Sequence, residues 1–334
     1  MAIALSILLG LIALWWVLRF LPAGVDGHGP LPYLIAFVRF LWMPSALVLA
    51  ATLVSQHWII AIFAAMLTLL TGVFASPWYR KRNTPANSGS TRQTADNSVI
   101  QNSDNYYNVM TLNCRYGLAD PQAIIDAVRN NDVSILALQE LTPDLVDALD
   151  KAGMNALLPY RQLGKAQESD NGGFNGIWAR IQPGAQTERT VDIAATDVPS
   201  ITVGNVAYFS AHPKSPMRGC REWSLGIRKL GELVDQDVFA IATTAPSAPT
   251  RATVIMGDLN SNVDHPSFRS LLNSGFTDAG LDISHGSAAS FPTWLRWPRL
   301  ELDHVLVTSE IAISSIQTIN IPGSDHLALI ARLA

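Results

Sequence analysis

The hydrophobicity of this 334-residue chain is concentrated at its amino-terminal end, within residues 1–78. Three stretches there are almost free of charge: Ala2–Val17, Leu31–Val54, in which Arg39 is the one charged residue, and Trp58–Phe74. A helix needs about 20 apolar residues to cross the hydrocarbon core of a bilayer. The middle stretch has that length and the outer two are near the short limit, so we predict three transmembrane helices.

Aromatic residues at the ends of these stretches favour the same interpretation, because tryptophan and tyrosine collect at membrane surfaces. They are Trp15, Trp16, Trp58, Trp78 and Tyr79. A cleaved signal peptide would begin with basic residues, and this chain begins Met-Ala-Ile-Ala-Leu. Buried core helices of a soluble domain are the alternative.

The composition changes sharply after the apolar stretches. Residues 83–105 are rich in Asn, Ser and Thr and have no apolar period, which is typical of a flexible linker. We therefore divide the chain into a membrane anchor (1–82), a linker (83–105) and one domain of ordinary enzyme size (106–334), which we expect to be the catalytic domain. The net charge of −4 gives the chain no overall attraction for nucleic acid or anionic lipid.

The third segment opens as strand, helix, strand, helix. The strands are 106–112 and 133–138, and the helices are Pro121–Asn130, with Asp120 as its N-cap, and Pro143–Lys151. This alternation predicts a layered α/β domain. A helix is also predicted over 223–235, and further strands are predicted over 174–181, 190–193, 201–210, 253–256, 300–308, 316–321 and 327–333.

One strand end carries a pair of polar residues that could bind a cation or orient a water molecule. Thr253–Met256 is followed by Gly257, Asp258 and Asn260. If the extended backbone continues, residues two apart share a face, so Asp258 and Asn260 project together. A carboxylate beside a carboxamide can hold a hard cation or orient a water molecule. Alone, however, the string also suits an ordinary turn.

Other strand ends carry metal- or proton-handling residues as well: Asn113, Glu140, His212, Asp325 and His326. Asp303 lies inside an apolar strand, where an unpaired carboxylate is costly, so it requires a partner. Each residue alone is compatible with a turn or a solvated surface. Their coincidence at so many strand ends favours one shared site.

The blocks that carry these residues resemble, in their order, the endonuclease/exonuclease/phosphatase superfamily. The blocks are Thr111-Leu112-Asn113, Leu138-Gln139-Glu140-Leu141, Ser210-Ala211-His212, Gly257-Asp258-Leu259-Asn260, Leu302-Asp303-His304-Val305 and Ser324-Asp325-His326. The resemblance spans residues 106–334. It implies a deoxyribonuclease I-like fold, a four-layer α/β sandwich of two packed mixed sheets flanked by helices. It also implies hydrolysis of phosphoesters with Mg²⁺, or alternatively Mn²⁺.

The resemblance also implies roles for the residues. Glu140 corresponds to the principal metal ligand, with Asn113 beside it and Asp325 as a neighbouring metal ligand. Asp258 would align or deprotonate the attacking water, and Asn260 would hold a phosphate oxygen.

Proton transfer falls to the histidines in this resemblance. Asp303 would orient and charge His326, and His212 would act as general acid, as in the deoxyribonuclease and sphingomyelinase branches. Arg115 stands where abasic-site nucleases carry an aspartate, which places this chain nearer those two branches. Glu168 is the candidate carboxylate partner of His212.

The substrate is less well specified. Arg115, Asn175 and Trp297 are candidate substrate contacts, and residues 291–301 (FPTWLRWPRLE) form a basic-aromatic segment. Such a segment could stack bases, seat a lipid head group, or consist of partly buried Trp and solvated Arg. We therefore consider a membrane-anchored phosphoesterase first, then an extracytoplasmic nuclease, and last a non-catalytic membrane-tethered binding domain, with no protein partner inferred.

Two features of the sequence disagree about the side of the membrane on which the large domain lies. Arg19 and the cluster 80–82 lie on the same side as the large domain, and the positive-inside rule assigns that side to the cytoplasm. The linker, rich in Asn, Ser and Thr, and the family resemblance favour the outer face. Cys114 and Cys220 would add to this if they formed a disulfide, but two free buried thiols are the equal alternative. We expect a multi-pass membrane protein with an extracytoplasmic catalytic domain.

Overall fold

The computed structural model describes residues 1–75, 107–166, 173–184, 191–234, 252–283 and 288–334. The predicted linker (83–105), the basic cluster (80–82) and Glu168 lie outside these residues.

Two amino-terminal helices are long and apolar enough to cross a membrane. One is α1 (Ala2–Val17), which a short 3-10 turn extends to Phe20, and the other is α4 (Trp58–Ala75). Between them lie α2 (Leu31–Ala36) and α3 (Trp42–Val54).

The stretch predicted as one continuous span, Leu31–Val54, is broken. The helical segments Leu31–Phe40 and Trp42–Val54 meet at 59°, so a third span exists only if this bent pair counts as one. Pro44 gives the physical reason, because in a continuous helix its ring would clash with the carbonyl four residues earlier. Within the first turn of α3 the same proline is tolerated.

The strands between residues 107 and 333 form two mixed β-sheets. The first contains β1 (Tyr107–Asn113), β2 (Val133–Leu141), β3 (Tyr160–Leu163), β4 (Phe174–Ala179), β10 (Ile313–Asn320) and β11 (Leu327–Leu333), in the order β10-β11-β1-β2-β4-β3. The second contains β5 (Ser200–Val203), β6 (Val206–Ser210), β7 (Ala252–Asp258), β8 (Phe276–Asp278) and β9 (Asp303–Thr308), in the order β5-β6-β7-β9-β8. The pairs β1/β2 and β6/β7 are parallel.

The sheets pack face to face, and helices cover their outer faces. A core between the sheets includes Val109, Ile135, Val254 and Met256. The first sheet is covered by α5 (Pro121–Asn130), α6 (Pro143–Lys151) and α7 (Met154–Leu157), and the second by α8 (Cys220–Lys229) and α9 (Pro266–Asn273). A short helix, α10 (Ala279–Ile283), follows β8. The predicted four-layer α/β sandwich is confirmed.

Local predictions were correct where the sequence pattern was short-range. Asp120 caps α5, accepting hydrogen bonds from the backbone N–H groups of Gln122 (2.8 Å) and Ala123 (3.0 Å). The strand predicted over 201–210 is instead the hairpin β5–β6, because Gly204, at φ 58°, turns the chain. Residues 191–193 do not form the predicted strand, and α8 begins and ends earlier than predicted.

The segment between α1 and α3 docks on the sandwich. Asp26 is fully buried, and its carboxylate accepts hydrogen bonds from the backbone N–H (2.7 Å) and the hydroxyl (2.6 Å) of Ser267. Ser267 lies in the first turn of α9, so Asp26 caps a helix 241 residues away. Close by, His265 donates from Nε2 to the carbonyl of Pro32 (2.8 Å).

Two arginines complete this docking. Arg19 pairs with Asp264 at 3.1 Å, and Arg39 lies 3.5 Å from Asp264 and 4.0 Å from Glu301. Arg39, Asp264 and Glu301 are all buried. Burial, and next the charge of Asp278, raise the pKa of Glu301 to about 8, while Arg39 opposes that shift. The amino-terminal region is therefore joined to the sandwich by buried ionic contacts.

Candidate active site

One edge of the sandwich collects the polar strand ends. The parallel pairs β1/β2 and β6/β7 end at this edge, and the antiparallel strands β9 and β11 begin there. The structure thereby brings together seven of the predicted residues: Asn113, Glu140, His212, Asp258, Asn260, Asp303 and His326.

Gly257 allows the close approach of β6 and β7 at this edge. A Cβ atom at Gly257 would lie 1.8 Å from the carbonyl oxygen of Ala211, and φ there is 155°. The N–H of Ala211 in turn bonds the carbonyl of Met256 at 2.9 Å. Only glycine permits this close approach of the two parallel strands, and the approach places His212 beside Asp258.

Asp258 is held by both of its carboxylate oxygens. Oδ2 accepts from Nδ2 of Asn113 (3.0 Å), and Oδ1 accepts from the backbone N–H of Asn260 (2.8 Å). The extended backbone does not continue through this segment, because Asn260 adopts φ 49°, as the turn alternative required. The turn nevertheless brings Nδ2 of Asn260 to 3.4 Å from Nε2 of His212, so both residues face one site.

Glu140 reaches the same site through an irregular strand end. The pairing of β2 with β4 shifts register between Leu138 and Leu141, and Glu140 itself has φ 52°. Bulges of this kind redirect a side chain, and a positive φ in a residue other than glycine marks strain that is common at functional sites. Oε2 of Glu140 accepts from the N–H of Tyr116 (3.1 Å), and Oε1 lies 3.8 Å from Nε2 of His212.

Asp303 and His326 form a buried pair. Nδ1 of His326 lies 2.7 Å from Oδ2 of Asp303, and its Nε2 lies 3.7 Å from Oδ2 of Asp258. Burial alone would lower the pKa of His326, but the charges of Asp303 and Asp258 outweigh it and raise the pKa to about 10. His326 is therefore an imidazolium at neutral pH, with Nε2 directed towards Asp258.

His212 is the second histidine of the site and is buried. Its Nε2 lies 3.8 Å from Glu140 and 3.7 Å from Asp258. These two carboxylates therefore face Nε2 of His212. Glu168, the predicted carboxylate partner of His212, lies outside the described residues.

The donor chemistry of this edge fits a hard divalent cation. Glu140, Asp258 and Asp303 are buried carboxylates, and Oδ1 of Asp303 has no hydrogen-bond partner among the described residues. Carboxylate oxygens of Asp258 and Asp303 lie within 4.8 Å of each other, whereas His326, as an imidazolium, is not a ligand. Oxygen-rich sites of this charge are typical of Mg²⁺ and Mn²⁺. Asp325, the predicted neighbouring metal ligand, faces Arg115, with Nε and Oδ2 3.8 Å apart.

The three predicted substrate contacts have different positions. Arg115 is half exposed at the rim of the site. Asn175 is fully buried behind His212: its Nδ2 donates to Oγ1 of Thr196 (2.8 Å), which donates to the carbonyl of His212 (3.2 Å). Trp297 is exposed and contacts the ring of Phe40 at 6.0 Å. Asn175 is thus placed to position His212 rather than to touch a substrate.

Several buried polar residues that the sequence did not indicate form hydrogen bonds beside the site residues. Oγ1 of Thr111 donates to Gln139 (3.1 Å), whose Nε2 donates to Ser210 (3.0 Å), so a polar chain links the two sheets. His304 bonds Asp278 and the carbonyl of Ser261, each at 2.8 Å. The sequence did contain a signal for His304. Adjacent residues of a strand point to opposite faces of the sheet, so Asp303 and His304 were expected on different faces of this strand.

The structure answers the question that the sequence left open about the two cysteines. Cys114 and Cys220 are free thiols. Cys114 is fully buried, and Sγ of Cys220 lies 3.4 Å from the carbonyl of Gly29 and 3.3 Å from that of Pro216. The thiols therefore no longer support an oxidising compartment.

Comparison with known proteins gives a family. The sequence model described as "Endonuclease/Exonuclease/phosphatase family" matches residues 110–326. No curated protein matches the chain.

Similar solved structures include a family protein from Leptotrichia buccalis (12% identity, TM-score 0.47) that covers 68% of this chain and 99% of its own. Two others are a D. rerio TDP2 humanized by 14 mutations (15% identity, TM-score 0.48, covering 69% and 99%) and a mannosyl-6-phosphatase from Bacteroides thetaiotaomicron (14% identity, TM-score 0.48, covering 68% and 99%).

Proposed function

Since the family's sequence model covers most of the sandwich, the chain belongs to the endonuclease/exonuclease/phosphatase family, and we propose that it is a membrane-anchored, divalent-metal-dependent phosphodiesterase. In this proposal residues 1–82 anchor the chain in the membrane, residues 83–105 form a linker, and residues 106–334 form the catalytic domain. The anchor is supported by the two helices that are apolar enough to cross a membrane.

Glu140 would hold Mg²⁺ or Mn²⁺ together with Asn113. Asp303 and His326 already bond each other at 2.7 Å, which is why we place the cation on the Glu140 side of the cluster. When bound, the cation neutralises phosphate charge and polarises the phosphoryl group.

The chain's own residues supply positioning and proton transfer. Asp258 accepts a proton from the attacking water, because its carboxylate is buried and fixed by Asn113 and Asn260. Nδ2 of Asn260 donates to a phosphate oxygen. These contacts orient the water for attack in line with the leaving oxygen.

The two histidines act on the developing charge. His326, kept cationic by Asp303, donates from Nε2 to a phosphoryl oxygen, which stabilises the transition state. His212 donates a proton to the leaving oxygen. The observation that carries the proposal is the buried sequence of contacts from Asp303 through His326 to Asp258, adjacent to Glu140 and His212.

Hydrolysis of bis-p-nitrophenyl phosphate by the detergent-solubilised full chain with Mg²⁺ tests this function. Glu140→Ala and His326→Ala should each lower kcat/KM by about 100-fold or more. Asp126→Ala, on the exposed face of α5, is the matched surface control. Activity of both site variants within twofold of the wild type would refute the mechanism.

We place the catalytic domain on the outer face of the membrane, on the composition of the linker and the family resemblance. The observation that would decide the side is protease accessibility of the domain in intact cells. Degradation only after lysis would assign the domain to the cytoplasm.

A further inference from the structure

We propose that the active-site cleft opens onto the membrane surface and that its substrate is the phosphodiester of a bilayer lipid. This inference rests on the proposed function and adds the substrate class. Two loops that flank the catalytic histidines carry it, because both meet the segment between α1 and α3.

The helix ends define the level of the membrane surface. α1 and α4 end, and α3 begins, at the end of the helical bundle that faces the sandwich. The guanidinium of Arg19 lies 4.8 Å from the ring centre of Phe74, whose ring also contacts Phe20 at 6.0 Å. Phe40 directly precedes α3. Residues 18–42 therefore lie where the anchor leaves the bilayer.

The first loop runs from the active-site histidine to this level. Phe291 lies 4.8 Å from the ring of His326 and 5.8 Å from that of Trp294. Farther along the loop, Trp297 contacts Phe40 edge-on. Its tip, residues 294–297, thus lies between the catalytic centre and the membrane segment.

The tip projects apolar side chains into solvent. Trp294 is 67% exposed and Trp297 is 54% exposed, and Leu295 and Arg296 between them are also exposed. Exposed tryptophans beside an arginine are unfavourable in water but typical of segments that insert at a lipid interface, where the arginine meets phosphates.

The backbone of this loop is held in place. Arg299 donates to the carbonyls of Pro292 and Thr293, each at 3.2 Å. The N–H of Thr293 bonds the carbonyl of Asp325 at 2.9 Å. The exposed side chains are therefore presented by an ordered segment that is tied to the residue preceding His326.

The second loop follows His212 and reaches the same surface. Met217 is 85% exposed at its tip. At the end of this loop, Sγ of Cys220 contacts the carbonyl of Gly29. On the membrane segment itself, Tyr33 and Phe37 are also exposed. Both loops that follow or precede the catalytic histidines thus contact the segment through which, in this proposal, the anchor enters the bilayer.

The chemistry of the rim favours lipid over nucleic acid. A polyanion is bound by rows of cations that track its phosphates. The two loops here carry Lys214, Arg218 and Arg296, but their tips also expose the large apolar side chains of Trp294, Trp297 and Met217. The net charge of the chain, −4, adds no attraction for a polyanion. A lipid head group requires one phosphate site with apolar surroundings that enter the bilayer, and this is the arrangement of the cleft.

The test compares two substrates in one preparation. The full chain is placed in nanodiscs of phosphatidylglycerol and phosphatidylethanolamine, and release of water-soluble head groups is measured with Mg²⁺, beside hydrolysis of bis-p-nitrophenyl phosphate. The variant W294A/L295A removes the apolar tip and leaves the catalytic residues unchanged. Ile181→Ala is the matched control, because Ile181 is an exposed apolar residue beyond the end of β4 that lies away from Glu140.

We expect the wild type and Ile181→Ala to cleave the lipid. W294A/L295A should cleave it at least about tenfold more slowly while hydrolysing the soluble diester within twofold of the wild-type rate. Equal loss on both substrates would overturn the inference, as would unchanged lipid cleavage. Cleavage of plasmid DNA by a wild type that leaves the lipid intact would overturn it too, and would leave the phosphodiesterase itself standing.

Discussion

The buried carboxylate of Asp26 should be essential to the stability of the whole chain. In Asp26→Ala the N–H of Ser267 loses its acceptor. The hydroxyl of Ser267 and the N–H of Gly24 each lose one of two partners, because Ser267 Oγ also lies 2.7 Å from Ser224 Oγ and the N–H of Gly24 also donates to Ser267 Oγ at 3.1 Å. Hydrogen bonds to a charged group contribute about 1.5–3 kcal/mol each, and an unsatisfied buried donor costs about 1–3 kcal/mol. The loss also removes an anion from the amino-terminus of α9. We expect the free energy of unfolding to fall by about 3–5 kcal/mol.

Thermal unfolding in detergent, followed by tryptophan fluorescence, measures this loss. For a domain of this size 1 kcal/mol corresponds to about 2–4 °C, so the midpoint should fall by at least about 6 °C. Asp26→Asn keeps one acceptor oxygen and should lose less. Asp126→Ala, an exposed site on α5, should stay within about 0.5 kcal/mol of the wild type. An Asp26→Ala midpoint equal to that of Asp126→Ala would show that the docking contributes nothing to stability.

Two further predictions concern the site. The pKa of His304 is raised to about 9 and that of His326 to about 10, because their acidic partners outweigh burial. Both exceed the ordinary 6.5, so the stability from these pairs is complete below about pH 6.5 and is lost as pH rises through 9 and 10. An unfolding midpoint that does not fall between pH 7 and 10 would contradict this. Gly257→Ala should prevent folding, because its Cβ would meet the carbonyl of Ala211. Gly204→Ala, with open space around it but a positive φ, should cost only about 1 kcal/mol. Comparable yields of soluble folded protein from both variants would refute the steric argument.

Sequence reasoning succeeded where the information was local. The apolar runs that form β2 and β7 reported burial on both faces, and the residues that end them, Glu140 and Asp258, did reach a common edge. Parallel neighbours bring their carboxyl ends to one edge, so an ordered set of strand ends predicted a site without any distance information. Asp303 was correctly expected to need a partner, and that partner is His326.

The sequence could not provide distances between segments or departures from regular backbone. His212 faces Glu140 and Asp258 because Gly257 lets the end of β7 approach the backbone of Ala211 closely. The left-handed conformation of Asn260 replaces the extended geometry that periodicity assumes. Asn175 appeared to be a substrate contact because residue type alone does not report that a carboxamide is buried behind a histidine.

The largest gap concerns the anchor, and the sequence contained a clue to it. Arg39 interrupts an apolar stretch, and a lone cation inside a membrane helix is costly unless it is paired. That cost implied an acidic partner, but no local pattern identifies residues 225 or more positions away as Asp264 and Glu301. With the pairs of Arg19 and Arg39 to Asp264 and the Asp26 cap in place, residues 18–42 are fixed on the sandwich, because separating them would leave buried charges unpaired. If the chain is anchored as we propose, the fold itself sets the orientation of the active site relative to the membrane, and this is what makes the loops beside the histidines informative about the substrate.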